Sequence, residues 1–126
     1  MTDSTPRPFV ECNESADSGR SGGVAGDNAA PSQPIKVKVG DRVRFWVVSA
    51  GPSHPCNFHV VGEQFDTMYL GAPPATPIRG VQTWGVAPGA GMCFELLCDI
   101  PGEFPFVNHG FGHGQRGAIG FLDVER

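Results

Sequence analysis

Ile35-Lys36-Val37-Lys38-Val39, a Gly40-Asp41 turn, and then Arg42-Val43-Arg44-Phe45-Trp46-Val47 form the stretch on which the fold turns. Ile35, Val37 and Val39 alternate with lysines, and Val43, Phe45 and Val47 alternate with Arg42, Arg44 and Trp46. Successive side chains of a strand point to opposite faces. A period of two therefore reads as two half-buried strands joined by a turn.

The same reading extends toward the C-terminus. Asn57 to Val61, Phe65 to Leu70, Val81 to Val86, Met92 to Cys98, Phe104 to Asn108 and Ile119 to Val124 read as further strands. Turns are marked at Pro88-Gly89 and Pro101-Gly102. Gly71 to Gly80, with Pro73, Pro74 and Pro77, reads as an irregular crossover. A short helical turn is allowed between Gly62 and Tyr69. Seven to eight short strands with frequent turns give an all-β sandwich.

Composition agrees. The chain has 126 residues, with 18 glycines and 12 prolines, about 24% together against a usual ~12%. Both residues break helices, which disfavours a bundle. The net charge of −4 offers no basic surface for nucleic acid or an anionic membrane. No run of ~18 apolar residues is present to span a bilayer as a helix. The opening MTDSTPRPFVEC is polar and acidic, unlike a secretory leader. That leaves either a cytoplasmic protein or a piece of a longer one.

Toward the N-terminus the pattern dissolves. Residues 1–34 carry Asp3, Glu11, Glu14, Asp17 and Asp27 against Arg7 and Arg20, and are rich in Gly, Ser, Ala and Pro. Such a stretch buries too little apolar surface to offset its ordering entropy. It reads as a flexible arm or linker, with the folded domain at residues 35–126.

Four cysteines, Cys12, Cys56, Cys93 and Cys98, contain no C-x-x-C pair, which disfavours a zinc ribbon or a thioredoxin-type motif. Cys93 and Cys98, five apart on one strand, would face opposite ways and not pair. The cysteines read as small buried thiols plus one exposed, with a disulfide or metal role open for Cys56. The four histidines, His54, His59, His109 and His113, fall in two loop-flanked regions. Imidazole suits copper and zinc, so two such regions meeting across a sandwich could make a site. A hydrogen-bonded structural role is the other reading of each histidine. Glu63 and Asp66 read as surface or turn acids, and Trp46 and Trp84 as core or interface aromatics.

Pro101-Gly102-Glu103-Phe104-Pro105-Phe106 and the ending Gly117-Ala118-Ile119-Gly120-Phe121-Leu122-Asp123-Val124 resemble the closing strands of cupredoxins. A longer ordered series is similar to the second cupredoxin domain of copper nitrite reductases and related multicopper oxidases. It runs through Gly51-Pro52, Phe58-His59-Val60-Val61-Gly62-Glu63, Phe65-Asp66, Val81-Gln82-Thr83, Val107-Asn108-His109 and Gly117-Ala118, covering about residues 36 to 125. The resemblance implies a cupredoxin-like Greek-key β-sandwich of seven to eight strands.

The resemblance also assigns residues. The type 1 copper cysteine would fall at Asn108 or Val107 and the axial methionine near Ala118, none of which supplies sulfur. Type 1 copper is therefore not expected. The Asn-His motif of this strand supplies the family's type 2 copper histidine, which reaches a copper held mainly by a neighbour's first domain; here it is His109. His59 lies in the strand that resembles the carrier of the first copper histidine. His113 lies in the glycine-rich loop that follows, where relatives bind metal. The family's second catalytic histidine corresponds to Gln64 in Gly62-Glu63-Gln64-Phe65-Asp66. Glutamine shuttles no proton near neutral pH, which counts against nitrite reduction by the family route.

The expected function is a domain of a larger copper oxidoreductase, not a complete catalyst. It contributes a type 2-like copper histidine and an assembly surface, with a copper ion and a first cupredoxin domain or a homo-oligomer such as a trimer as partners. Resemblance implies an extracytoplasmic location. Two alternatives stay open. One is a stand-alone Cu/Zn module built on His59, His109 and His113. The other is a metal-free structural or interaction domain.

Overall fold

A computed structural model of the chain describes residues 9–13, 34–114 and 119–126, with backbone alone at residues 9–13, 113 and 114. The strands are β1 (Phe9–Asn13), β2 (Ile35–Lys38), β3 (Arg42–Gly51), β4 (Cys56–Val60), β5 (Phe65–Tyr69), β6 (Ile78–Val81), β7 (Thr83–Val86), β8 (Gly91–Leu97), β9 (Gly102–Asn108) and β10 (Ile119–Glu125), with one helical turn, α1 (Phe111–Gly114). They form two five-stranded sheets, ordered β1-β3-β8-β5-β6 and β2-β10-β9-β4-β7. β1 runs parallel to β3 and β2 parallel to β10, while the remaining pairs are antiparallel.

Each strand read from the sequence is present, with two differences in detail. The stretch read as one strand from Val81 to Val86 is divided. β6 pairs with β5 in the first sheet, and β7 pairs with β4 in the second. The chain changes sheets at Gln82, which frees the backbone groups of that residue from both ladders. The second difference lies inside the stretch read as an arm, where residues 9–13 form β1. Phe9-Val10-Glu11-Cys12 is a short β-forming run within a polar sequence, and β3 offers it an open edge. The helical turn allowed between Gly62 and Tyr69 is not there. Phe65–Tyr69 is extended, because Phe65 and Met68 reach the core from the sheet.

The core lies between the sheets. The Phe58 ring packs against those of Phe45 at 5.3 Å, Phe94 at 5.0 Å and Phe65 at 5.5 Å. Val43, Val47, Leu96, Phe106 and Leu122 close around this cluster. At β4 the alternation is strict: Cys56, Phe58 and Val60 are buried, while Asn57 and His59 face outward and are half-buried. β8 departs from alternation and is buried from Met92 through Glu95 to Leu96. Its outward Glu95 is satisfied by Arg44, whose Nε donates at 2.7 Å.

Cys56 is disulfide-bonded, so the simple buried-thiol reading fails for it. The Cys12 side chain lies outside the described residues. Cys93 and Cys98 are free, buried and unpaired with each other. Cys98 sits just beyond β8, so their separation does not follow from facing opposite ways along one strand.

Candidate metal centre

The outer face of the second sheet carries the histidines. β4 is flanked by β9 and β7, and its register sets Val107 and Thr83 on either side of His59. Ile119 of β10 lies opposite Val107, so Ile119, Val107, His59 and Thr83 make one row across four strands. Directly opposed side chains share a face. The row therefore points away from Phe58 to the outer face, where Ile119 and Thr83 are exposed, His59 is half-buried and Val107 is covered.

His59 is held by the sheet change at Gln82. Its Nδ1 lies 2.8 Å from the Gln82 carbonyl oxygen and 3.0 Å from Thr83 Oγ1. A carbonyl oxygen has no proton to give, so Nδ1 carries the hydrogen and donates it. In the neutral ring Nε2 then keeps its lone pair. Fixing one ring nitrogen to orient the other is how proteins prepare a metal-ligating or proton-carrying imidazole.

His109 stands just past the end of β9. Its ring meets that of His59 at 5.2 Å between centroids and 64° between planes. It also packs against the ring of Phe111, at 4.4 Å between centroids, and Phe111 is itself 60% exposed. The backbone is tied down as well. The His109 N–H donates to the Asn57 carbonyl at 2.8 Å. Asn108 is buried, and its Oδ1 accepts the N–H of Asn57 at 3.1 Å and of Gly110 at 3.2 Å. Gly85, opposite Asn57, leaves that residue room, since a Cβ there would sit 3.2 Å from Asn57 Oδ1.

Two of the three histidines singled out in the sequence thus come together. His113 belongs to α1, and its side chain lies outside the described residues, as does Ala118. His54 lies exposed in the loop before β4. Gln64 was matched in the sequence to the family's second catalytic histidine. It is exposed ahead of β5, with its amide nitrogen close over Gly80. The imidazole beside His109 is that of His59. The β4–β9 register, which pairs His59 with Val107, decides what reaches His109. Gln82 and Thr83 were quoted from the sequence without a role. They lay inside a stretch read as one strand, so nothing in the sequence marked the sheet change.

The donor set suits copper or zinc bound through nitrogen. It provides two imidazoles and no thiolate, because the places matched to the type 1 cysteine hold buried Val107 and Asn108. The set is also incomplete by itself: no group of three or more His, Cys, Asp or Glu side chains converges among the described residues.

No family model matches the chain. Copper-containing nitrite reductases of Neisseria meningitidis and Neisseria gonorrhoeae are 38% identical to it over 108 residues, which is 85% of this chain and 26% of theirs. The solved copper-containing nitrite reductase NirK of Thermus scotoductus matches 95% of the chain with a TM-score of 0.79 and 26% identity. The chain is a cupredoxin-like domain. It resembles the second, C-terminal domain of copper nitrite reductases and multicopper oxidases, and is related to copper oxidoreductases. The same fold recurs in the Nitrosomonas europaea copper nitrite reductase, with a TM-score of 0.76 at 19% identity over 100% of this chain and 50% of that one. This cupredoxin-like domain spans only 26% of the length of the Neisseria enzymes and 31% of the Thermus chain. No helix among its described residues is long and apolar enough to cross a membrane.

Proposed function

We propose that this domain contributes His109 to a histidine-ligated, type 2-like copper centre of a larger nitrite-reductase-like or multicopper-oxidase-like enzyme. The observation that carries the reading is the meeting of His59 and His109, with His59 Nδ1 committed to Gln82. Copper held there would bind the substrate and pass it an electron. His59 keeps Nε2 for this site, either as a further ligand or to hold and release a proton while Nδ1–H stays anchored. Phe111 limits the swing of the His109 ring and sheds water from one side of it. His113 is a further candidate ligand.

Two histidines do not complete a centre, so the remaining ligands come from a first cupredoxin domain or a second subunit. The short match to much longer relatives supports that division. Ile119 and Phe111, exposed beside the histidines, offer apolar surface for such a partner. The domain by itself is then not a complete catalyst, and copper is its cofactor. The resemblance supports an extracytoplasmic location. So does the disulfide at Cys56, since disulfides persist in oxidising compartments.

Cu(II) titration followed by electron paramagnetic resonance tests the reading, with elemental analysis and oligomeric mass of the protein taken from cells. We expect stoichiometric copper with nitrogen hyperfine structure, lost in His109→Ala. Protein that binds no copper, alone or with a first-domain partner, would be a metal-free interaction module. Full binding by the isolated monomer that depends on His59 and His113 but not His109 would point to a stand-alone site.

A further inference from the structure

We propose that Asn108 is the positioning residue that fixes the His109 ring against His59 before any metal arrives. The β9 ladder ends at Asn108, opposite Phe58. The amides of Asn57 and Gly110 would otherwise lack partners there, and one side-chain oxygen serves both, using its two lone pairs. The His109 N–H returns the link to the Asn57 carbonyl. The chain is therefore tied to Asn57 of β4, two residues from His59, at Asn108 and at His109, and Gly110 is folded back onto the Asn108 side chain. Asn108 is only 6% exposed, so these bonds compete little with water, and losing the acceptor leaves amides unsatisfied. Asn108 is also one of the two places, with Val107, that the sequence motif matches to a copper thiolate. The hydrogen-bond clamp needs no metal to act.

The proposal deepens the copper reading, and rests on it only for what His109 does once held. The test uses the full chain, metal-free, as wild type, Asn108→Ala and Asn108→Asp. Nuclear magnetic resonance reads the ring-to-ring contacts of His59 and His109 and the amide exchange of Gly110. In Asn108→Ala we expect the ring contacts to vanish and Gly110 exchange to speed up by about tenfold, the worth of one hydrogen bond. Asn108→Asp keeps an oxygen in place and should restore both. If Asn108→Ala does not fold, Asn108→Ser, whose shorter side chain cannot span both amides, should show the same losses. Ring contacts that persist in the alanine or serine variant overturn the proposal, as does failure of aspartate to restore them. Cu(II) uptake by wild type is scored separately. Its absence removes the copper reading and leaves the positioning result standing.

Discussion

The imidazole of His59 meets that of His109 edge to face, 5.2 Å apart, although one comes from β4 and the other from beyond β9. Neither the loop nor the strand alone produces this. It depends on the β4–β9 register that pairs His59 with Val107, and on the clamp that turns the chain back after Asn108. The carbonyl of Gln82 then determines which nitrogen of His59 looks into the site.

That tautomer is directly checkable. Nitrogen-15 correlation spectra of the metal-free protein, at a pH where His59 is neutral, should show a protonated Nδ1 and a bare Nε2. The opposite pattern would mean that the Gln82 contact does not orient the ring.

Removing an imidazole should cost more than removing its support. Thr83→Ala leaves His59 in place but weakens its anchor, and should lower Cu(II) affinity by roughly tenfold. His109→Ala should exceed the ~10–100-fold typical of lost outer partners. Competition titrations on the assembled protein would rank the two, and equal losses would contradict the assignment.

Phe58 holds the two sheets together. Its ring touches those of Phe45, Phe65 and Phe94, and it is 1% exposed. Phe58→Ala should destabilise the fold by about 3–5 kcal/mol. Urea denaturation would show this as a lower midpoint with an unchanged slope.

The two free thiols should be inert. Burial pushes the Cys93 and Cys98 thiols up to about 11, the neighbouring Glu95 adding to the first and Glu63 to the second. Little thiolate exists at pH 8, so iodoacetamide should label neither until the protein unfolds. The sign for stability follows. The unfolded chain loses these protons near pH 9, whereas the folded one holds them to about 11. Stability is therefore complete below about pH 9 and falls as pH rises toward 11. Denaturation midpoints across that range should decline, and less steeply in Cys93→Ala.

Reduction should act at a different place. Cys56 opens β4, the strand that bears His59 and Asn57. Opening its disulfide should cost about 2–5 kcal/mol, seen as a lower melting temperature with reductant. No change would mean that the bridge constrains little.

The sandwich itself was legible because period-two alternation is a local signal, and Ile35 to Val47 displays it plainly. The division at Gln82 was not, since Val81 to Val86 is apolar enough to pass for one strand, and only pairing partners separate it. β1 hid in a segment whose average composition is polar. The histidines were recognisable as two groups, but which of them meet is a matter of register. The ladder sets His59 beside Val107, and so within reach of His109, a pairing that no local pattern announces.

β1 has one more consequence. β3 is ten residues long and would otherwise border solvent along one side. An uncovered strand of that length is a template onto which other chains can add. Phe9–Asn13 caps its second half, from Trp46 to Gly51, from within the same molecule. A minimal domain cut at Pro34 would keep both histidines and the whole aromatic core, yet would bare the backbone of β3. Its failure would be self-association, and not loss of the site.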